Sequence, residues 1–263
     1  MYLLRMSTAA QATDPRHDGQ VTVDVHDAVA TVEFFHPKGN SLPGALLRRL
    51  ADEIGTVGRT PGVHIIVLRS AGSGAFCGGA SFDEMKAVKN AAGGEEFFRG
   101  FARVILAMIR APQFVVVRVH GKTAGGGVGL VAAADYALGV RGAAFRLSEL
   151  ALGLGPFVIG PVVERRVGRG PFTALAVDAD WRDAEWGERH GMYARVFDDT
   201  DQLDAGLARL VASLARTNPD AIRRLKQVFW NGTEQWDELL EQRAAISGAL
   251  VLSPHAQRLL ASA

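Results

Sequence analysis

Apolar and polar residues alternate through VTVDVHDAVATVEFF, from Val21 to Phe35, with a polar break near His26-Asp27. A period of two places alternate side chains on one face, so the segment predicts a β-hairpin. His36-Pro37-Lys38-Gly39-Asn40 ends it. From Ser41-Leu42-Pro43 to about Gly58 the period lengthens to that of a helix, with Leu42, Leu46, Leu47, Leu50 and Ile54 on one face. VHIIVLRS (63–70) and FVVVRVH (114–120) are short, continuously apolar and β-branched. Such runs suit strands buried on both faces, as in a parallel sheet.

A glycine-rich loop, AGSGAFCGGASF, follows the first buried strand, and a helix is predicted over roughly 94–110. A second glycine loop, T-A-G-G-G-V-G-L (123–130), follows the next strand and opens a helix through GVGLVAAA. DYALGV reads as a third strand, and AAFRLSELALGLGP as a short strand, a turn and a helix. From about Asp201 the strands stop, and three amphipathic helical stretches fill the remainder. These patterns predict three regions: a disordered tail over 1–18, a β/α core over 19–200, and a helical piece over 201–263. Helices with apolar faces placed after a complete core suit packing on a neighbouring subunit.

Composition narrows the function classes. The 263 residues are 48% hydrophobic and 22% charged, with a formal net charge of +1. No basic run with interleaved aromatics is present, so nucleic acid is not an expected partner. No apolar run approaches the roughly 20 residues of a membrane-spanning helix, and the first residues lack the apolar centre of a secretory signal. Cys77 is the only cysteine, which excludes an intrachain disulfide and fits a reducing, cytoplasmic setting. No His, Cys and carboxylate cluster has metal-ligand spacing, so no metal is expected.

The chemistry gathers at the two glycine loops. Ligands of β/α sheets collect beyond the strand ends. Backbone N–H groups from two separate loops there make an oxyanion hole. Glu149 follows in Leu147-Ser148-Glu149-Leu150, among apolar neighbours that raise a carboxyl pKa toward neutrality. A competing reading makes it a helix N-terminal glutamate serving the dipole. Cys77 reads as a small buried thiol, His120 as a structural residue at a strand end and His64 as a strand residue. Asp135 reads as shaping a turn, and Glu164, Arg165 and Arg166 as facing solvent or another subunit.

The segments IIVLRSAGSGAFCGGASFDEM, APQFVVVRVHGKTAGGGVGLVAAADYAL and FRLSELALGLGP resemble the crotonase, or enoyl-CoA hydratase/isomerase, family, in order and spacing over about residues 20–263. The resemblance implies an α/β fold: a spiral of β-β-α units with a C-terminal helical trimerisation region, assembled as a homotrimer or dimer of trimers. It implies an acyl-CoA thioester substrate and no other cofactor, since coenzyme A arrives on the substrate. Carried over residue by residue, the oxyanion donors fall on the backbone of Ala80 and Gly126, and the catalytic carboxylate on Glu149. Gly78, Ala80, Ser81, Phe82 and Gly126 fall on the CoA-wrapping segments, and Lys38 near the CoA phosphates. Ser81 departs from the family's usual Asp. A second carboxylate of hydratases falls on Gly129, so that position is expected to be vacant.

One carboxylate leaves three reactions open: reversible hydration, a 3,4-to-2,3 double-bond shift, and decarboxylation. The stretch ELALGLGPFVIGPVVERRVG, with WRDAEWGERHGMYARVF, resembles the branch that interconverts 3-methylglutaconyl-CoA and 3-hydroxy-3-methylglutaryl-CoA. A hydro-lyase on that pair is therefore the expected activity, with a Δ3,Δ2-isomerase or decarboxylase as the alternative.

Overall fold

A computed structural model describes residues 19–262; the predicted tail over 1–18 lies outside them. The chain runs β1 (Gln20–His26), β2 (Val29–Phe35), β3 (Ser41–Leu42), α1 (Gly44–Gly58), β4 (Ile65–Ser70), β5 (Gly79–Ala80), α2 (Phe82–Ala87) and α3 (Ala91–Arg110). It continues through β6 (Phe114–Val119), β7 (Thr123–Ala124), α4 (Gly126–Ala132), β8 (Tyr136–Val140) and β9 (Phe145–Arg146). The remainder is α5 (Gly160–Val167), α6 (Arg169–Asp178), α7 (Ala184–Arg189), β10 (Arg195–Phe197), α8 (Thr200–Leu214), α9 (Pro219–Phe229), α10 (Trp236–Leu250) and α11 (Pro254–Ser262).

The main sheet has the order β1-β2-β4-β6-β8-β10. The expected hairpin makes its antiparallel edge, with Asp27 in the left-handed region at the turn. β2, β4, β6, β8 and β10 run parallel, and the apolar runs at 63–70 and 114–120 supply two inner strands. Ile65, Ile66, Leu68, Val115, Val116 and Val117 are buried, as strands covered on both faces require.

Each glycine loop carries a short strand that pairs away from the main sheet. β5 pairs in parallel with β3, and β7 with β9. A parallel bridge between Cys77 and Thr123 joins the two loops, with the N–H of Ala124 donating to the Cys77 carbonyl at 2.9 Å. These small ladders hold both loops at one end of the sheet.

Two helix starts differ from the sequence pattern. Leu42 belongs to β3 rather than to the helix, because Pro43 is extended (ψ 156°) and disfavours helical backbone in the residue before it. α3 begins at Ala91, three residues before the expected start near 94, because the Asn90 side chain caps it by accepting from Gly93 N–H.

The C-terminal helices also pack on their own chain. α10 lies along α3. The helices come close where two glycines meet, near the start of α3 and the end of α10: a Cβ on Gly248 would sit 2.4 Å from the nitrogen of Glu95, and one on Gly94 would sit 2.6 Å from the Gly248 carbonyl oxygen. α10 and α11 then enclose a second small core of Met85, Phe97, Leu154, Val251, Ala256 and Leu260. The helical region over 201–263 thus completes its own core and cavity.

Candidate active site

The two glycine loops, α3, the segment 148–159 and α10 surround one cavity. Ala80, Gly126 and Glu149 all line it, as do Gly78 and Phe82. Its walls are otherwise mainly Met85, Phe98, Phe101, Leu152, Leu154 and Ile159. The polar side chains among the lining residues are Ser148, Glu149 and Ser247.

Glu149 follows β9 and begins a single turn of 3-10 helix (Leu150–Leu152). Its own carbonyl accepts from the N–H groups of Leu152 and Leu154, both at 3.0 Å, which anchors the backbone. The residue is half-buried as a whole, yet carboxyl Oε2 is buried without a hydrogen-bond partner. Burial raises the carboxyl to about 7, offset in part by the N–H groups of Glu149 and Ser148. The N-terminal dipole reading does not account for an unpartnered oxygen held against a cavity.

Glycine is favoured at Gly125 by its backbone and lies close against Glu149. Its φ is +50°, and a Cβ there would lie 3.3 Å from Glu149 Oε1. The carboxyl thus rests against the second glycine loop. Gly126 is the first residue of α4, a position whose N–H has no acceptor within the helix. Gly79, at φ +89°, brings the loops together: its missing Cβ would sit 3.5 Å from Gly126 N and 2.9 Å from the Ala124 carbonyl.

Three expected positions fall elsewhere. Lys38 does not line the cavity; it is exposed and forms an ion pair with Asp83. Ser81 is buried and caps α2, its Oγ accepting from Glu84 N–H at 3.4 Å, so helix capping accounts for a serine there. Gly129 carries no carboxylate, but its place is not vacant. A Cβ there would lie 2.5 Å from Ile159 Cγ2 and 3.3 Å from Ile105 Cδ1, so isoleucines fill the space.

The remaining candidates are structural. Cys77 is fully buried and its thiol is pushed up to about 12 by burial, which leaves it inert. His120 lies off the cavity with both ring nitrogens buried and unpartnered; burial, then Arg118, depress its pKa. His64 precedes β4, its Nδ1 3.3 Å from the Ala215 carbonyl. Arg165 is exposed, as expected, and donates to the carbonyls of Phe229 and Asn231; Arg166 is half-buried and donates to that of Ala132. No group of three metal-binding side chains occurs among the described residues.

Asp135 does more than shape a turn. It accepts from Lys226 Nζ at 2.7 Å, Trp230 Nε1 at 2.8 Å and Val115 N–H at 2.7 Å. This ties α9 to the strand before the second glycine loop. Lys226 was not singled out in the sequence, although its helical spacing with Ile222 and Trp230 is a signal that could have placed it on the apolar face of α9. Phe101, Ile159 and Ser247 gave no such signal, because each reaches the site only through tertiary packing.

Comparison with known proteins agrees with this architecture. The family model for enoyl-CoA hydratase/isomerase matches residues 24–257. A hydrolase of (7aS)-7a-methyl-1,5-dioxo-2,3,5,6,7,7a-hexahydro-1H-indene-carboxyl-CoA from Rhodococcus jostii (strain RHA1) is 29% identical over 80% of each chain. The bacillaene synthase dehydratase PksH of Bacillus subtilis (strain 168) is 28% identical over 79% of each. The crystal structure of an enoyl-CoA hydratase from Bacillus halodurans superposes with a TM-score of 0.86, covering 92% of this chain and 99% of the other at 18% identity, a likeness of fold.

Proposed function

We infer that this chain, which belongs to the enoyl-CoA hydratase/isomerase family, is an acyl-CoA hydratase/dehydratase working through one acid–base carboxylate. The observation that carries the reading is the Glu149 carboxyl, raised to about 7 and unpartnered at Oε2, resting against the second glycine loop. A thioester placed between the loops would set its oxygen at the N–H groups of Ala80 and Gly126. Glu149 takes the α proton, and charge moves to that oxygen as an enolate. The enolate then expels the 3-hydroxyl, which leaves as water with the proton returned by Glu149; hydration is the reverse. One oxyanion donor is typically worth roughly 3–4 kcal/mol of barrier. Gly78 and Phe82 would flank the CoA arm, and the Lys38–Asp83 pair would have to open before Lys38 met a phosphate. No cofactor beyond substrate-borne CoA is required.

The acyl group implied by sequence resemblance, 3-methylglutaconyl or 3-hydroxy-3-methylglutaryl, ends in a carboxylate. No Lys, Arg or His is among the lining residues, and an unpaired carboxylate in an apolar cavity is costly. The cavity therefore favours an uncharged acyl group. The Rhodococcus relative, by its name, acts on an uncharged bicyclic diketone on CoA. A second reading, the Δ3,Δ2-isomerase, gains from Ile159 and Ile105: a dry wall suits a reaction that needs one base and no water. Incubation with 3-hydroxy-3-methylglutaryl-CoA and with uncharged 3-hydroxyacyl-CoAs, followed by unsaturated-thioester absorbance, tests these choices. The expected result is turnover of uncharged substrates only. Turnover of 3-hydroxy-3-methylglutaryl-CoA alone would restore the carboxylated acyl group.

We also propose a homotrimer or dimer of trimers, supported by the exposed apolar side chains Leu225, Val228 and Phe229 on α9. The cytoplasm suits the single free, buried cysteine. No helix among the described residues is long and apolar enough to cross a membrane.

A further inference from the structure

Ser247 is 1% exposed, on α10, and faces the same cavity as Glu149. Its hydroxyl is the donor or acceptor of no hydrogen bond within the described residues. A serine inside a helix ordinarily bonds to the carbonyl one turn back or turns to solvent; this one does neither. The backbone that carries it cannot swing away, because the Gly94–Gly248 contact fixes α10 against α3 directly beside it. Its oxygen is not one of the fully enclosed unpartnered side-chain atoms, so it stays open to the cavity, where a ligand can supply the missing partner.

We propose that Ser247 is a specificity-determining residue that donates a hydrogen bond to an uncharged oxygen, a ketone or hydroxyl, on the acyl group of the substrate. The proposal rests on the reading of this cavity as the acyl site. The apolar walls take the hydrocarbon, the glycine loops take the thioester, and Ser247 takes one further oxygen on the acyl chain. A site built around a hydrogen bond rejects the analogue that lacks the oxygen, because its own polar group is then left unpaired. The substrate class is therefore an oxo- or hydroxy-substituted acyl-CoA, oxygenated beyond the carbons that react.

Calorimetric titration with hexanoyl-CoA and with its 3-, 4- and 5-oxo derivatives tests this without requiring turnover. In the wild-type protein the 4-oxo or the 5-oxo derivative should bind about tenfold more tightly than hexanoyl-CoA, the worth of one modest hydrogen bond, with the 3-oxo derivative, substituted at a reacting carbon, as the control. Ser247→Ala should abolish that preference and leave hexanoyl-CoA affinity within about twofold. If Ser247→Ala does not fold, Ser247→Cys, nearly isosteric with a weak donor, should show the same loss. Absence of any 4-oxo or 5-oxo preference in the wild type, or its persistence in the variant, overturns the role of Ser247 while leaving the acyl site intact. Failure of all four ligands to bind overturns the acyl-site reading itself.

Discussion

Four glycines within residues 123–130 answer to four different neighbours. Gly125 adopts a positive φ beside Glu149, Gly126 lies under the Phe101 ring, Gly127 meets Cys77 and Gly129 meets Ile159. A Cβ on Gly126 would lie 2.5 Å from Phe101 Cζ, so an aromatic ring, more than substrate approach, dictates that glycine. The glycine run was visible in the sequence, but its reasons were not, because the neighbours lie far away along the chain. The contact at Gly129 turns an absent carboxylate into a packed wall. Gly129→Glu should therefore destabilise the protein by about 2 kcal/mol or more through overpacking and a buried charge. It should confer no crotonyl-CoA hydration; denaturant titration and a hydration assay check both.

Glu149 also sets a pH dependence. Below its ordinary value of 4.5 the carboxyl is protonated in both the folded and the unfolded chain, and burial adds no charge penalty. As pH rises the unfolded chain ionises first, so the native state loses stability until the buried group ionises near 7. Glu149→Gln should thus be more stable than wild type by about 1–3 kcal/mol at pH 8, the range allowing for its partial exposure, and by little at pH 4.5. Urea unfolding at the two pH values measures the difference. Catalysis by the base form should rise through about pH 7.

At the scale of elements, strands proved more readable than helix ends. The inner strands are uniformly apolar, whereas α1 and α3 begin where a proline and a capping asparagine place them. α9 shows what periodicity leaves open, the partner of a charge on the buried face. Its buried side chains include a charge, Lys226, paired with Asp135 at 2.7 Å with each side chain 3% exposed. Removing one member of a buried pair leaves the other uncompensated. Lys226→Met should lower stability by about 3–5 kcal/mol, and adding Asp135→Asn should recover part of that. Thermal and urea unfolding of the single and double variants test the coupling. A neutral single variant would show that the pair does not hold α9.

Across the whole molecule, the parallel sheet brings two loops to one end, short ladders β3–β5 and β7–β9 fix their spacing, and α10 folds back to add Ser247 to the wall of the apolar chamber. The β/α core was legible because glycine loops after buried strands mark the sheet's working end, whereas Ala80, Gly126 and Glu149 were singled out by the family resemblance, and all three line one cavity. The part played by the chain's own α10 was not legible, since an amphipathic face does not state what covers it. On the proposed reading, the chamber's composition would set the substrate's polarity and Glu149 the chemistry.

The central claim is that Glu149 moves the α proton of a thioester held between the loops. Exchange of the α protons of 3-hexenoyl-CoA in deuterated water, followed by mass spectrometry for wild type and Glu149→Gln, tests it most directly. Conjugation makes these protons acidic, so the readout does not depend on the native acyl group. The wild type should exchange them with a rate that rises through about pH 7. Glu149→Gln should bind the thioester with near-normal affinity and exchange at least about 100-fold more slowly. Equal exchange by both proteins, or none by the wild type, would contradict the claim.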